Sequence, residues 1–546
     1  MSILPITPTR GVIFDRNGII LADNIPVYLL EITPEHVKDI RKTLVELRAL
    51  LPSITDDDIE HFKRARQQNS SFVPIPLKLK LSQEEVAIFA SQQYRFNGVN
   101  VTAHLMRYYP FKEITAHILG YVGRINAQEL NKIDNINYRG TNFIGKTGLE
   151  KYYEQLLHGR VGNQQVETDV SGRQIRILHK QAPLPGKKLT LTLDIHLQKI
   201  AAEALKDKRG AVVVIDPNNG EILAMVSSPS YDPNKFVNGI SIPDYNELSA
   251  AKNRPLYNRA LRGMYPPAST IKPYVALSGL ENGVIDAKYK IFDPGWYGLP
   301  GINYIYRDWK KSGHGIIQIE RAITVSCDTY FYHLGHRLGI KALAATLSKF
   351  GFGRLTNIDL TEELPGILPD ATWKQAIKGT PWYSGDTLIT SIGQGFFLAS
   401  PLQMAVAVAT LSQRGIHHTP HLLQSRYSHQ KNDQIVLENA SNWEIVINGM
   451  RAVITSNEGT GYKFGRDAKY SVAGKTGTAQ VISGRKYEKT RYTDIPEFLR
   501  DHSLFIAFAP ATKPLIAIAV MVENDAAASI IARTVLDAYF MNHAYT

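Results

Sequence analysis

The sequence predicts a multidomain α+β protein, and three observations carry that reading. Its 546 residues, 44% hydrophobic and 21% charged, show no low-complexity tract or repeat and give room for roughly two to four domains. Strand patterns stand at both ends of the second half and helix patterns fill its middle. That arrangement requires one antiparallel sheet closed by segments far apart in sequence. A proline-rich break at residues 183–186 separates this half from an N-terminal α+β region. The boundary falls near residue 185, giving domains 1–185 and 186–546.

In the first region, residues 10–24 read as two short strands around an Asp15-Arg-Asn-Gly18 turn. Charge-rich helices follow at 35–51 and 56–68, and Ser82 with Glu85 forms a capping box opening another, so residues 34–105 read as a helical head. Residues 107–123 return to strand and turn. A helix starts at 145–153, so its Lys146-Thr-Gly148 triplet is set aside. Residues 160–193 alternate polar and apolar and end in a strand, before a helix capped by Asp194. Charge is plentiful here, but no cluster suggests chemistry. The second region opens with a hairpin at 210–226 whose near-continuous apolar run implies burial on both faces. Strands at 503–509 and 515–522 and a helix at 526–542 close the chain, and the mostly helical 240–455 packs on the sheet.

Composition narrows the partners. No apolar run approaches the ~20 residues of a membrane helix. The start has no basic segment followed by an apolar one, so the protein is either cytosolic or has lost a membrane anchor ahead of these residues. The formal charge of +12 favours a negative surface such as anionic lipid or cell-wall polymer. The basic residues are scattered and no nucleic-acid-binding motif accompanies them, which argues against nucleic acid. A single cysteine, Cys327, excludes an internal disulfide.

Chemistry concentrates in the second region. Ser269 follows two prolines and opens an apolar run in which Ala276, Leu277 and Leu280 share one helix face; Lys272 lies one turn on. A serine hydroxyl needs a base to become a nucleophile, and a lysine held neutral by burial and by another cation can serve. Three other Ser-x-x-Lys pairs, Ser249/Lys252, Ser428/Lys431 and Ser483/Lys486, fall in polar stretches that read as loops. Ser326-Cys327-Asp328 stands where a loop enters a helix. Lys475-Thr476-Gly477-Thr478 reads as an exposed strand, with a glycine that lets another backbone approach.

These three motifs, in this order and at these wide spacings, resemble the penicillin-binding transpeptidase family. Residues 10–18 are similar to the N-terminal signature of its class B enzymes. Tyr231-Asp-Pro-Asn234, Phe292-Asp-Pro-Gly-Trp296, Tyr306-Arg-Asp-Trp-Lys310 and Gly393-Gln-Gly395 resemble its elongation-specific penicillin-binding protein 2 subgroup. The resemblance implies a penicillin-binding/serine β-lactamase-like domain, a five-stranded antiparallel sheet with helices, on an elongated N-terminal pedestal. It implies a peptidoglycan D,D-transpeptidase in which Ser269 attacks the penultimate D-Ala of a stem pentapeptide. Lys272 takes the serine proton, and Ser326 with Lys475 relays one to the leaving amine. The N–H groups of Ser269 and Thr478 form the oxyanion hole, and Thr476 and Thr478, with Gly477 between them, bind the terminal carboxylate that β-lactams imitate. Asp328 stands where the family usually has Asn; ionised, it cannot donate an amide hydrogen bond, and it either pairs with Lys272 or is protonated.

The resemblance also implies partners: a RodA-type glycan polymerase, an MreC-type scaffold, and the periplasmic face of the inner membrane through an N-terminal anchor. The acceptor is the side-chain amine of a neighbouring stem, diaminopimelate in a Gram-negative host. No cofactor is required for the chemistry. Asp293, Asp308, His314 and Cys327 nevertheless make a tetrahedral donor set for a structural zinc ion beside Ser326; the alternative is a small buried thiol with two aspartates capping turns. Arg485, Lys486, Lys489 and Arg491 read as a solvated loop, and His417, His418 and His421 as surface. Asp501-His502 reads as a turn cap or cleft wall. The rival functions are a D,D-carboxypeptidase, a β-lactamase, for which no deacylating glutamate is evident, a β-lactam sensor, and a catalytically dead cell-wall assembly scaffold.

Overall fold

A computed structural model describes residues 2–68, 71–168, 174–237, 239–425, 433–482 and 494–542. The first hairpin joins Ile13–Phe14 to Ile20–Ile32. The second strand runs far beyond the turn because its apolar residues serve two cores. Leu21 and Ala22 belong to the large core of the molecule, while Leu30 and Ile32 belong to the core of the head.

In the head, Ile75–Leu81 and Val99–Tyr108 pair with Ile20–Ile32 on either side. Helices Ile40–Leu50, Asp56–Gln68 and Gln83–Gln92 pack around that sheet. The segment 34–105, expected to be helical, is therefore mixed. Ile75, Leu77, Leu79 and Leu81 recur at a period of two, between Pro76, Lys78 and Lys80, which suits a pleated strand and not a helix. The capping box is formed: Ser82 Oγ accepts the Glu85 N–H and the Glu85 carboxylate accepts the Ser82 N–H. Ser2–Ile6, Gly162–Thr168 and Gln174–Gln181 form a separate three-stranded antiparallel sheet.

The pedestal is fastened by a buried ion cluster whose members lie far apart in sequence. Glu150, with no side-chain exposure, accepts from Arg10 Nε at 2.7 Å and from Arg107 Nε at 2.6 Å. Arg10 also reaches Glu154 at 2.6 Å, and Tyr109 OH donates to Glu150 at 3.1 Å. Burial alone would raise the Glu150 carboxyl; Arg10 and Arg107 together hold it below its ordinary value.

The larger domain contains the expected antiparallel sheet. Its strands are β1 (Gly210–Ile215), β2 (Ile222–Ser228), β3 (Ala473–Ala479), β4 (His502–Ala509) and β5 (Ile516–Val522), in the order β2-β1-β5-β4-β3. Every residue of β1 and β5 is buried, so both faces of the sheet are covered. The main helices are α1 (Ile195–Ala204), α2 (Lys272–Glu281), α3 (Asp328–Lys349), α4 (Pro401–Ser412), α5 (Ser441–Thr455) and α6 (Ala528–Asn542). Helices α1 and α6 pack together against β2, β4 and β5, α4 lies on β1 and β5, and α5 lies along β3. Helix α2 packs against α3 and α5, and Lys272 through Leu280 are all buried. One buried face was expected; α2 is a central pillar buried all round.

Glu150→Ala would leave Arg107 buried without a carboxylate and Arg10 with Glu154 alone. The expected result is a loss of about 3–5 kcal/mol in pedestal stability, measured by urea denaturation.

Candidate active site

Three segments meet at one end of α2. Ala268 takes φ +50°, which turns the chain into the short 3-10 turn Ala268–Ile271 that leads into α2. Ser269 is half-buried on that turn, and Lys272 begins the helix proper. The base of the turn is anchored from a distance: Tyr265 OH donates to Glu523 Oε1 at 2.7 Å, and Arg259 Nε donates to the same oxygen at 2.8 Å.

The second segment follows the helix Ile319–Thr324. Ser326 has φ +57°, an uncommon conformation for a residue with a Cβ. Cys327 then caps α3, its sulfur accepting the Tyr330 N–H at 3.3 Å. The third segment is β3, an edge strand lying across the turn. A Cβ at Gly477 would stand 2.9 Å from Thr270 Cγ2 and 3.3 Å from Pro267 O, so glycine permits this close approach. An exposed strand was expected. Only its outer edge is open: Thr478 is exposed, Thr476 is half-buried, and Lys475 is fully buried beneath.

The polar atoms form one connected chain. Lys272 Nζ donates to Asp328 Oδ1 at 2.6 Å, to Ser326 O at 2.8 Å and to Ser326 Oγ at 3.2 Å. Lys475 Nζ donates to Ser326 Oγ at 2.9 Å and to Thr476 O at 3.0 Å. Both lysines are 0% exposed. Burial, and next the charge of Lys272, hold Lys475 well below its ordinary value, while Asp328 acts the other way. Asp328 is thus paired with Lys272, and its second oxygen accepts the Trp309 N–H at 3.3 Å.

Asp293, Asp308, His314 and Cys327 also converge, with one donor atom from each lying within 4.8 Å of the others, all four residues buried. His314 Nδ1 is 2.7 Å from Asp293 Oδ2, and Cys327 Sγ is 3.3 Å from the same oxygen. Asp293 and Asp308 cap turns as well, accepting the N–H groups of Gly295 and Lys310. Burial, and then the nearby Asp308, push the Cys327 thiol far up. The thiol, imidazole and carboxylates are a donor set that zinc takes.

Several residues around the site were not singled out as functional from the sequence. Trp309, within the Tyr306–Lys310 motif, holds Asp328. Thr460 shares a 2.6 Å hydrogen bond with the Thr476 hydroxyl, and its polar turn carries no signal that could have revealed it. Glu523 is 258 residues from Tyr265, beyond the reach of any local pattern. Two bland readings need correction. His421 is fully buried instead of lying at the surface, because its backbone bonds to Thr192 and Ile222 join it to the sheet. Ser249 lies on a helix, Ile242–Ala250, capped by Ser241, and not in a loop. Asp501 accepts the Val481 N–H, and the His502 ring meets the Tyr265 ring edge-on at 5.8 Å. Ser428, Lys431, Ser483, Arg485, Lys486, Lys489 and Arg491 lie outside the described residues.

The fold and the three converging motifs define a class, and comparison with known families agrees. A model of the penicillin binding protein transpeptidase domain matches residues 210–539, and one of the penicillin-binding protein dimerisation domain matches residues 5–191. The chain belongs to the penicillin-binding protein family. Among curated relatives, the peptidoglycan D,D-transpeptidase MrdA of Escherichia coli K12 is 44% identical over 539 residues, covering 96% of this chain and 85% of that one. A solved complex of PBP2 with MreC from Helicobacter pylori superposes with a TM-score of 0.88 at 31% identity, covering 99% of both chains. Pseudomonas aeruginosa PBP2, solved in complex with WCK 5153, gives 0.76 at 40% identity, covering 99% of this chain and 97% of that one.

The depressed lysine has a consequence for stability. On unfolding, Lys475 returns to water and binds a proton at its ordinary value near 10.5, so the folded state holds fewer protons below that pH. Its contribution to stability must therefore rise as pH increases toward that value. The difference in unfolding free energy between the parent and Lys475→Met should grow in the parent's favour from pH 7 to 10.

Proposed function

We propose that the chain is a serine-type peptidoglycan D,D-transpeptidase that cross-links stem peptides during cell elongation. The observation that carries this reading is the buried hydrogen-bonded chain Asp328–Lys272–Ser326–Lys475 beside the turn that presents Ser269. One carboxylate can balance only one of two buried ammonium groups, so a dry site of this composition favours one lysine without its extra proton. That vacancy is what a serine nucleophile needs.

Ser269 Oγ attacks the carbonyl of the penultimate D-Ala and gives its proton to Lys272, whose own extra proton passes through the Ser326 hydroxyl to Lys475. The N–H groups of Ser269 and Thr478 stabilise the oxyanion, while Thr476 and Thr478 hold the terminal carboxylate. As the tetrahedral intermediate collapses, the bond to the terminal D-Ala breaks and Ser326 with Lys475 delivers a proton to the departing amine. An amine of a neighbouring stem then attacks the acyl-enzyme and frees Ser269. A β-lactam enters the same path and halts at the acyl-enzyme. The enzyme works at the periplasmic face of the inner membrane, through an anchor ahead of these residues, with an MreC-type scaffold and a RodA-type polymerase. The MreC complex of the Helicobacter pylori relative supports the first partner.

Asp293, Asp308, His314 and Cys327 would hold a structural zinc ion. Bound there, the ion would stabilise the Cys327 thiolate and fix the loop on which Ser326 and Asp328 lie. The chemistry itself stays with Ser269.

Intact mass after incubation with a β-lactam tests the reaction. One stable adduct is expected on the parent and none on Ser269→Ala; an unmodified parent would sink the enzyme reading. For the metal, elemental analysis of the purified protein should find about one zinc per chain, and Cys327→Ser should lose the ion and melt earlier. A parent free of zinc after growth in zinc-supplemented medium would refute the site.

A further inference from the structure

An oxyanion hole shared between Ser269 and Thr478 needs two separate segments, the turn after Ala268 and β3, held in fixed register. Two carbonyls on the open edge of β3 are held by side chains. Thr476 O accepts from Lys475 Nζ at 3.0 Å, and Thr478 O accepts from Gln394 Nε2 at 2.9 Å. Residues two apart on a strand share an edge, and in an antiparallel strand the N–H and C=O of one residue point the same way. The N–H of Thr478 is therefore turned toward the open edge and away from β4.

The residue beside Gln394 reaches the other segment. Gly393 O accepts the Ala268 N–H at 2.7 Å. Gly393 itself has φ +74°, and a Cβ there would lie 2.2 Å from Ala268 O. Two consecutive residues thus grip both halves of the hole, one by its backbone and one by its side chain.

We infer that Gln394 is a positioning residue for acylation: its carboxamide ties the Thr478 peptide to the Ser269 turn and aims the Thr478 N–H at the developing oxyanion. The inference rests on the serine-acylation reading above. Gln394 acts through Thr478, so its loss should slow bond formation and leave the preceding encounter nearly unchanged.

Stopped-flow measurements with a chromogenic β-lactam separate the acylation rate constant from the noncovalent dissociation constant. In Gln394→Ala the rate constant should fall about ten- to a hundredfold, with the dissociation constant within about threefold of the parent. Gln394→Glu keeps the shape but loses the donor while ionised. Its rate relative to the parent should recover as pH falls toward about 4.3, where a protonated carboxyl can again donate to Thr478 O. A melting curve for each variant identifies any that fails to fold, and Gln394→Glu decides if the alanine variant does. Rates within about twofold of the parent, a loss confined to the dissociation constant, or a flat pH ratio in Gln394→Glu would overturn the inference. Absence of acylation on the parent would overturn the serine reading and this inference with it.

Discussion

Ser326 Oγ lies 3.2 Å from the buried Lys272 nitrogen and 2.9 Å from the buried Lys475 nitrogen, with the Asp328 carboxylate on the first, and much of the larger domain serves to keep it there. Removing a lysine from water is unfavourable by several kcal/mol unless its charge is met or its proton lost. Asp328 meets Lys272 at 2.6 Å, and Lys475 is left to titrate low. Replacing the family's usual asparagine with aspartate is compatible with this balance, because the acid supplies the charge that Lys272 requires.

Holding that arrangement requires three segments that share little sequence proximity. Helix α2 is buried on all sides and presents Lys272 from a fixed axis. The loop before α3 is bent at Ser326 into an unfavourable backbone region, and Cys327 caps the following helix. The four-residue donor cluster includes Cys327, the residue directly after this bend. Strand β3 completes the site because Gly477 lets it pass within contact distance of Thr270.

Much of this was legible in the sequence. Ser269/Lys272, Ser326/Asp328 and Lys475/Gly477 each stand at a helix start or on a strand, where local pattern assigns the element, though not the complete burial of Lys272 and Lys475. The hairpin of β1 and β2 and the last two strands were equally plain, since unbroken apolar runs of that length suit strands buried on both faces. Pairings across long separations were not legible. Arg10 and Glu150 are 140 residues apart, Arg259 and Glu523 are 264 apart, and nothing local marks either as half of a pair. The strands of the head escaped notice for another reason: Ile75–Leu81 is flanked by strong helix signals, and the charged helices around it dominate the local composition. His421 misled because its burial comes from backbone pairing, to which composition is blind.

The central pair of the sheet, β1 with β5, joins Gly210 to Val522 and Ile215 to Ala517. The hairpin β1–β2 can form early, but its other edge stays unpaired until nearly the whole chain exists. During synthesis the transpeptidase domain is therefore incomplete until its final strand arrives, and Glu523, which anchors the Ser269 turn, arrives directly after it. The Ser269 turn thus gains its anchor only when synthesis is nearly complete, so a nascent or C-terminally clipped chain lacks the carboxylate that holds that turn.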